Sequence, residues 1–350
     1  MQQVLFKIPG IDWPVYGYGM MLFLAYFFCT WLACWLAKKE GISAVSIQDL
    51  SIWVFICGIA GARLTFMLQY HIPLMDFWKI WDGGLVFYGS AIGGVVGYFG
   101  AYFFVLRKHN VSTWKMADVI APCAALGLCL GRVGCLLNGC CYGNVACPDC
   151  PSIGFPLPTH ARFELVRMGY QTAAGFTFKD QSEDTVDEVE PDSDAARAGL
   201  QPGDKIKEIQ FGDEDMKKPN PFSALERPPQ GQNTVTFKVL HANGVEALVG
   251  PFTPWTIGLH PTQIYESVSM ALLFLLLLAY FPYRRRDGAV MVLFMICYAC
   301  HRFLNEMLRN DTDAVGFGMT LSQNISIIVL VSGLLLGAWL WLKTPRQVVE

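Results

Sequence analysis

Seven long apolar runs divide this chain of 350 residues. A helix needs about 20 residues to cross the hydrocarbon core of a bilayer, and about 17 is the lower limit. Only 16% of the residues are charged, whereas soluble domains average about 25%. The runs lie near residues 15–37, 48–69, 85–106, 116–135, 262–282, 288–305 and 320–342. The sequence therefore predicts an α-helical polytopic membrane protein with seven transmembrane helices, and the first run is expected to remain as a helix rather than be cleaved as a signal peptide.

Lysine and arginine are unevenly divided between the two sides of these spans. One side carries Lys38, Lys39, Arg107, Lys108, Lys115, Arg284, Arg285, Arg286, Lys343 and Arg346. The short segments on the other side carry Lys7, Lys79 and Arg309. Because basic residues accumulate on the cytoplasmic side of membrane proteins, we expect an N-out, C-in orientation. The segment between the fourth and fifth spans is then extracytoplasmic.

That segment has the composition of a small soluble domain. Its run VDEVEPDSDAARAGLQPGDKIKEIQ, residues 186–210, resembles the core of a PDZ domain, in which a strand, a short helix ending in Ala-Gly-Leu and a Gly-Asp turn precede another strand. Residues 175–178 are expected to form the preceding strand, and residues 234–240 with 246–249 a closing hairpin. The alternative is a PDZ-shaped spacer that binds nothing. The predicted organisation is helices 1–4 with a polar loop in 1–145, a β-rich PDZ-like insertion in 146–257, and helices 5–7 in 258–350.

Ionisable residues also occur inside the predicted spans, where insertion of a charge costs about 2.5 to 3.5 kcal/mol. Arg63 lies within the second span and Arg132 near the outer end of the fourth. Glu266 lies one turn into the fifth. In the sixth, Tyr298, Arg302, Glu306 and Arg309 follow spacings of four, four and three, which put them on one helical face.

These arginines outnumber the nearby acids. Arg63, Arg132, Arg302 and Arg309 face only Glu266 and Glu306. A structural ion pair between Arg302 and Glu306 would explain two of them. The remaining positive charge predicts an anionic ligand, and at this depth the abundant anion is a lipid headgroup phosphate. Gly89, Gly93 and Gly97 predict a closely packed third helix.

Five stretches carry a family resemblance. In order and spacing, VYGYGMML, WDGGLVFYG, GRVGCLLNGCCYG, HPTQIYES and YACHRFLNEMLRND resemble the motifs of the bacterial prolipoprotein diacylglyceryl transferases. The resemblance covers about residues 12–145 and 258–342. It implies a seven-span enzyme of the bacterial inner membrane, with its active site towards the extracytoplasmic side. Such an enzyme moves the diacylglyceryl group of phosphatidylglycerol to the lipobox cysteine of a prolipoprotein, forming a thioether and releasing glycerol phosphate.

The resemblance, together with the charges at membrane depth and the tyrosine beside the glycine-rich third helix, gives the candidate site residues and partners. The catalytic candidates are Arg132, Arg302, Tyr298, Glu306 and Tyr88. The substrate-binding candidates are Asn138, Gly139, Gly143, Arg63, Tyr16, His260, Gln263, Tyr265, Glu266 and Arg309. The expected partners are phosphatidylglycerol, prolipoprotein signal peptides and membrane lipids. No nucleic acid, cofactor or metal is expected.

The chain departs from better-known members of that family at three positions. It has Tyr88 in place of a histidine, Cys135 in place of an asparagine and Cys140 in place of a glutamate. The residue types nevertheless suit the chemistry, since guanidinium groups stabilise a departing phosphate and nearby cations favour a thiolate. Tyr298, Glu306 and Tyr88 all remain candidates for accepting the thiol proton.

Cysteines near the outer face suggest a rival function. They are Cys135, Cys140, Cys141, Cys147 and Cys150. In an oxidising compartment we expect a disulfide that closes a loop, with a zinc or redox site and free thiols as alternatives. The rival reading is a membrane thiol-redox or metal-sensing protein, and a third is a PDZ-bearing receptor or transporter without catalysis.

Overall fold

A computed structural model describes residues 3–10, 14–78, 86–104, 107, 111–147, 149–157, 159–179, 182–215, 217, 220–226, 228–229, 231–309, 314–316 and 318–343. Its helices are α1 (Gly17–Lys39), α2 (Ala44–Tyr70), α3 (Phe87–Phe104), α4 (Thr113–Asn138), α5 (His160–Arg167), α6 (Asp194–Arg197), α7 (Pro221–Glu226), α8 (Thr262–Tyr280), α9 (Ala289–Glu306) and α10 (Leu321–Lys343). Its strands are β1 (Val4–Lys7), β2 (Pro14–Tyr16), β3 (Phe176–Phe178), β4 (Val186–Val189), β5 (Lys205–Phe211), β6 (Val235–Leu240), β7 (Glu246–Phe252), β8 (Ala314–Gly316) and β9 (Met319–Thr320).

Six helices are long and apolar enough to cross a membrane among the residues described. They are α1, α2, α4, α8 with the 3-10 turn that extends it to Tyr283, α9 and α10. The chain is therefore consistent with a multi-pass membrane protein, as predicted. The run predicted at 85–106 is the shorter helix α3, of which Gly89–Phe104 is apolar, so the helix lengths support six of the seven predicted spans.

The chain forms two compact units. The first comprises Met1–Leu22, Gly131–Val268 and Arg302–Asn324, and the second comprises Phe23–Leu130, Ser269–His301 and Ile325–Glu350. Helices α1, α4, α8, α9 and α10 each contribute one end to the first unit and the remainder to the second.

Close backbone contact joins α2 and α3 in the second unit. A Cβ atom on Gly93 would lie 2.1 Å from the carbonyl oxygen of Cys57, and one on Gly97 would lie 2.7 Å from that of Trp53. A Cβ on Gly89 would lie 2.4 Å from the carbonyl oxygen of Gly61. The predicted role of these glycines in close helix packing is confirmed, because any larger residue would push the two backbones apart.

A buried carboxylate caps the start of α9 in the second unit. Asp118 is fully buried, and its side-chain oxygens accept hydrogen bonds from the backbone N–H groups of Gly288, Val290 and Met291 at 2.8, 2.9 and 3.1 Å. Arg284 contacts Asp118 at 3.0 Å. These bonds satisfy N–H groups at a helix start that have no partner within the helix.

The β-rich part of the first unit contains the elements predicted from the sequence. Antiparallel β3 and β4 form one sheet, and β5, β6 and β7 form a second antiparallel sheet in that order. Helix α6 lies between β4 and β5 in sequence, and Ser193 caps it by accepting from Ala196 N at 3.1 Å. Phe176, Phe237 and Phe252 meet edge to face within the core of this part.

A separate apolar cluster lies in the first unit. Tyr142, Phe155, Ala161, Leu165 and Leu259 pack together and are all nearly inaccessible to solvent. Residues from the beginning of the predicted insertion therefore share one core with the loop after α4 and the segment before α8.

Candidate active site

The stretch GRVGCLLNGCCYG ends α4 and begins the loop that follows it. The helix closes with bonds from Gly139 N to Leu136 O at 3.3 Å and from Cys140 N to Cys135 O at 3.1 Å. Gly139 has a positive φ of 70°, which glycine adopts without steric cost. A Cβ there would also lie 2.6 Å from Thr159 Cγ2. Both the turn and the close contact require glycine at this position.

Gly143 holds this loop against two other segments. Its N–H donates to the carbonyl of His260 at 3.0 Å, and the N–H of His260 donates to Asn144 O at 2.9 Å. Asn144 N donates to Leu308 O at 2.9 Å. A Cβ at position 143 would lie 2.7 Å from His260 Cβ. The loop after α4, the start of α8 and the end of α9 are thus joined by backbone hydrogen bonds.

Glu266 stands at the centre of a buried ionic network. Its Oε1 lies 2.9 Å from Arg132 Nη2. Its Oε2 accepts a hydrogen bond from Asn305 Nδ2 at 2.9 Å and lies 3.9 Å from Arg302 Nη1. Only 1% of the Glu266 side chain is exposed. One carboxylate from α8 therefore orients an arginine from α4 and an arginine from α9.

Glu306 extends the network. Its Oε2 lies 2.7 Å from Arg302 Nη2 and 4.0 Å from Arg309 Nε, and its Oε1 accepts a hydrogen bond from Thr320 at 3.0 Å. Arg302 also donates to Ser322 Oγ at 2.9 Å. The Arg302–Glu306 ion pair that the sequence offered as a structural alternative is present, as one part of this larger group.

Counted over the described residues, the network carries a net positive charge. It contains the guanidinium groups of Arg132, Arg302 and Arg309 and the carboxylates of Glu266 and Glu306, and three positive charges less two negative charges leave +1. Both carboxylates are buried, whereas Arg132 and Arg302 keep 15% and 12% of their side chains exposed. The accessible groups are therefore the cations, an arrangement suited to a bound anion.

Four other predicted residues belong to the same unit as this network. Gln263 Nε2 donates to Cys140 O at 2.8 Å, and the carbonyl of Asn138 accepts from Gln3 Nε2 at 3.3 Å. Tyr16 ends β2 and is exposed, while Tyr265 lies on the first turn of α8 and is partly buried. Gln263 and Asn138 thus belong to the contacts that fix the loop.

Three predicted site residues belong to the second unit. Arg63 is buried in α2 and donates from Nη2 to the carbonyl of Asp76 at 2.9 Å. Tyr298 lies on α9 one turn before Arg302, with its ring stacked on that of Phe294 at 5.6 Å. Tyr88 lies in the first turn of α3, and its side chain is outside the described part of the structure. Of the four arginines that were predicted to outnumber the nearby acids, three therefore belong to the network.

The outer cysteines divide into two groups. Cys147 and Cys150 form a disulfide, so a loop-closing disulfide is present as expected, and the structure supplies the pairing that the sequence left open. The sulfurs of Cys135, Cys140 and Cys141 all lie within 4.8 Å of one another, and the three residues are half-buried and not disulfide-bonded.

The sequence does not predict several buried or half-buried polar residues of the first unit. Asn305, Thr320 and Ser322 hold the network, and the position of Asn305, three residues after Arg302 on one helix face, was an available signal. Arg162 on α5 is only 3% exposed. Within the described residues, its Nε and Nη2 have no hydrogen-bond partner.

Comparison with known proteins decides the family. The family model described as prolipoprotein diacylglyceryl transferase matches residues 3–339. The chain belongs to the prolipoprotein diacylglyceryl transferase family. It is 32% identical to the phosphatidylglycerol–prolipoprotein diacylglyceryl transferase of Rhodopirellula baltica, over 91% of this chain and 71% of the relative.

More distant members of the family align over nearly the whole chain. Proteins of the same name from Clostridium tetani and Finegoldia magna are 26% and 24% identical. The alignments cover 95% and 100% of this chain and 96% and 98% of those relatives.

Proposed function

We propose that this chain transfers the diacylglyceryl group of phosphatidylglycerol to the lipobox cysteine of prolipoproteins. The observation that carries the proposal is the network of net charge +1 in which Arg132 and Arg302 remain accessible. An apolar protein that holds arginines at helix ends suits a lipid whose only charge is its phosphate. The names of its relatives point to the same two substrates.

The arginines supply the electrostatic part of the reaction. As the thiolate sulfur bonds to the glyceryl carbon, the carbon–oxygen bond to phosphate breaks and its electron pair goes to the phosphate oxygen. Arg132 and Arg302 stabilise the charge that develops there, while Glu266 keeps both guanidinium groups in place. Both Glu306 oxygens are already engaged, so we assign Glu306 to orienting Arg302 rather than to accepting the thiol proton.

The proposal includes the placement of the chain in the membrane. We infer seven spans, with α3 as the short one, an N-out, C-in orientation in a bacterial inner membrane, and a site that opens to the extracytoplasmic side. The division of lysine and arginine between the loops supports this orientation. The β-rich segment is proposed to be a PDZ-like module, supported by its order of strand, short helix and strand.

A transfer assay tests the proposed reaction. The purified protein is mixed with phosphatidylglycerol and a lipobox peptide, and we expect equal amounts of lipidated peptide and glycerol phosphate. A peptide with serine in place of the cysteine should give neither product. Lipidation without glycerol phosphate release would contradict the proposed donor.

Two matched arginine variants test the site. Arg132→Ala should lower kcat/KM by about 100- to 1,000-fold, as expected when a group that stabilises transition-state charge is removed. Arg167→Ala, on the exposed face of α5 with 72% of its side chain accessible, should leave the rate unchanged. Retention of most activity by Arg132→Ala would contradict the assigned role of the network.

A further inference from the structure

Three cysteine thiols meet where α4 ends. Cys135 lies in the last turn of the helix, and Cys140 and Cys141 follow the turn at Gly139. Their sulfurs lie within 4.8 Å of one another. Cys141 adopts a left-handed backbone conformation, with φ of 60°, which is uncommon for a residue with a side chain. The Cys140 thiol donates a weak hydrogen bond to the carbonyl oxygen of Cys135 at 3.8 Å.

The geometry of this group fits a soft metal ion. Thiolates select zinc or copper(I) among the common metals. With zinc–sulfur bonds of about 2.3 Å, two sulfurs in a tetrahedral site lie about 3.8 Å apart, so these sulfurs need to approach by about 1 Å at most. No fourth His, Cys, Asp or Glu joins the group in the described parts of the chain. Three protein ligands with one open position is the pattern of catalytic zinc sites.

We propose that Cys135, Cys140 and Cys141 bind one zinc ion whose open position takes the lipobox thiol of the substrate. This inference rests on the proposed transferase function and supplies a group that removes the proton of the substrate thiol. A free thiol is mostly protonated at neutral pH, and none of the residues described above has been identified as its base. A thiol that coordinates a metal loses its proton outright.

The position of the three cysteines also suits the reaction. Arg132 precedes Cys135 by three residues on α4, so the two side chains share one face of the helix. The nucleophilic sulfur is thereby held on the same helix face as the arginine that we assign to the phosphate. A centre of three thiolates and one zinc ion has a charge of −1, which a neighbouring guanidinium stabilises.

The proposed step balances without any oxidant or reductant. The lipobox thiol releases its proton to water when its sulfur takes the open position. A sulfur–carbon bond then forms while the carbon–oxygen bond to phosphate breaks, and the glycerol phosphate leaves with the bonding electron pair. The thioether product carries no negative charge, so it is a weaker ligand than the thiolate and can dissociate.

Metal content is the first test. The full-length protein, purified in detergent under reducing conditions, should contain one zinc per chain. Single Cys135→Ser, Cys140→Ser and Cys141→Ser variants should lose most of it. The Cys147→Ser/Cys150→Ser double variant removes the loop disulfide but none of the three ligands, and it should keep its zinc. Absence of zinc from the wild-type protein after incubation with zinc salt would overturn the proposal.

A spectroscopic test addresses the open position. The zinc is replaced by cobalt(II), whose thiolate charge-transfer absorption reports bound sulfur. A lipobox peptide should raise this absorption by about a third, because a fourth thiolate joins three, and the same peptide with serine should not. An unchanged spectrum with the cysteine peptide would exclude coordination of the substrate. This measurement uses the wild-type protein, so misfolding of a serine variant cannot obscure it.

Transfer assays separate this inference from the proposed function. Chelated wild-type protein should lose transfer and regain it with zinc. If chelated, metal-free protein transfers at the full rate, the zinc proposal is wrong and the transferase proposal stands. If zinc and the peptide thiol bind but phosphatidylglycerol gives no product, the site stands and the transferase proposal fails.

Discussion

The two glycines at the ends of the stretch 131–143 differ in whether the structure leaves room for a side chain. A Cβ atom at Gly143 would meet His260 at 2.7 Å, whereas one at Gly131 would meet no atom of another segment within 4 Å among the described residues. We therefore expect Gly143→Ala to separate the loop from the start of α8 and to lower transfer at least about tenfold, since small displacements of catalytic groups cost rate steeply.

Gly131→Ala is the matched control and should keep wild-type activity, with both variants inserted in the membrane in equal amounts. The measurement is the rate of peptide lipidation per milligram of inserted protein. Equal rates for the two variants would show that the backbone pairing between Gly143 and His260 does not position the site.

Arg162 offers a test of stability at the residue scale. Burial lowers the pKa of Arg162 to about 10, and two of its nitrogens have no hydrogen-bond partner among the described residues. Arg162→Met should therefore raise the free energy of unfolding by about 1–3 kcal/mol, the usual cost of leaving a buried polar group unsatisfied.

The control for this change is Arg167→Met on the exposed face of the same helix, which should alter stability by less than about 0.5 kcal/mol. Thermal unfolding in detergent measures both variants. A lower melting temperature for Arg162→Met would contradict the expected penalty for burying this guanidinium.

The sequence revealed the charged members of the network but not its neutral ones. Arg132, Glu266, Arg302 and Glu306 were predictable because each is costly at membrane depth. Thr320 carries no such cost, and a hydroxyl at the start of a span has many ordinary roles. Arg162 was missed because its segment resembles a soluble module, where arginine is normally exposed.

At the scale of elements, the boundary of the β-rich module can be placed more closely. Phe155 and Leu165 belong to the apolar cluster around Tyr142, so the segment before residue 170 packs with the loop after α4. Gln171 bonds to the backbone of both Trp255, at 3.5 Å, and Ile257, at 2.9 Å, so the two ends of the module lie close together. We therefore propose that the separable part is residues 172–253 rather than 146–257.

Replacement of residues 172–253 by a short Gly/Ser linker should leave transfer to a short lipobox peptide within about twofold of wild type, because domains whose ends lie close together detach readily. Leu157 packs on the core of the module and would be exposed by the deletion, so it is changed to Ser in the same protein. Turnover of full-length prolipoproteins should fall if the module presents them.

Deletion of residues 150–253 is the matched comparison. It removes Phe155 and Leu165, and loss of each buried side chain costs about 2–5 kcal/mol, so this protein should unfold or lose activity. If the shorter deletion abolishes peptide transfer as well, the module is part of the site rather than an accessory to it.

Periodicity and apolar length predicted the helices and the hairpin of β6 and β7 well, because these depend on local sequence. The capping of α9 by Asp118 could not be predicted in the same way. That carboxylate lies 170 residues before Gly288 in the chain, and only the tertiary structure brings it to the start of the helix.

At the scale of the whole molecule, the proposed orientation makes a prediction about sidedness. A reporter that is active only outside the cytoplasm should work when inserted at Asn243, in the exposed turn between β6 and β7. The same reporter fused after Glu350 should be inactive. The opposite pattern would reverse the proposed orientation and move the site to the cytoplasmic side.

The pairing of the amino-terminal segment with the candidate site has a practical consequence for producing this protein. Strands β1 and β2 form a hairpin, Gly17 N donates to Gln3 O at 2.8 Å, and the side chain of Gln3 donates to Asn138 at the end of α4. An affinity tag fused ahead of Gln3 would crowd this contact and bias any comparison of variants. Purification tags therefore belong at the carboxyl terminus, because low activity of an amino-terminally tagged protein could be caused by the tag itself.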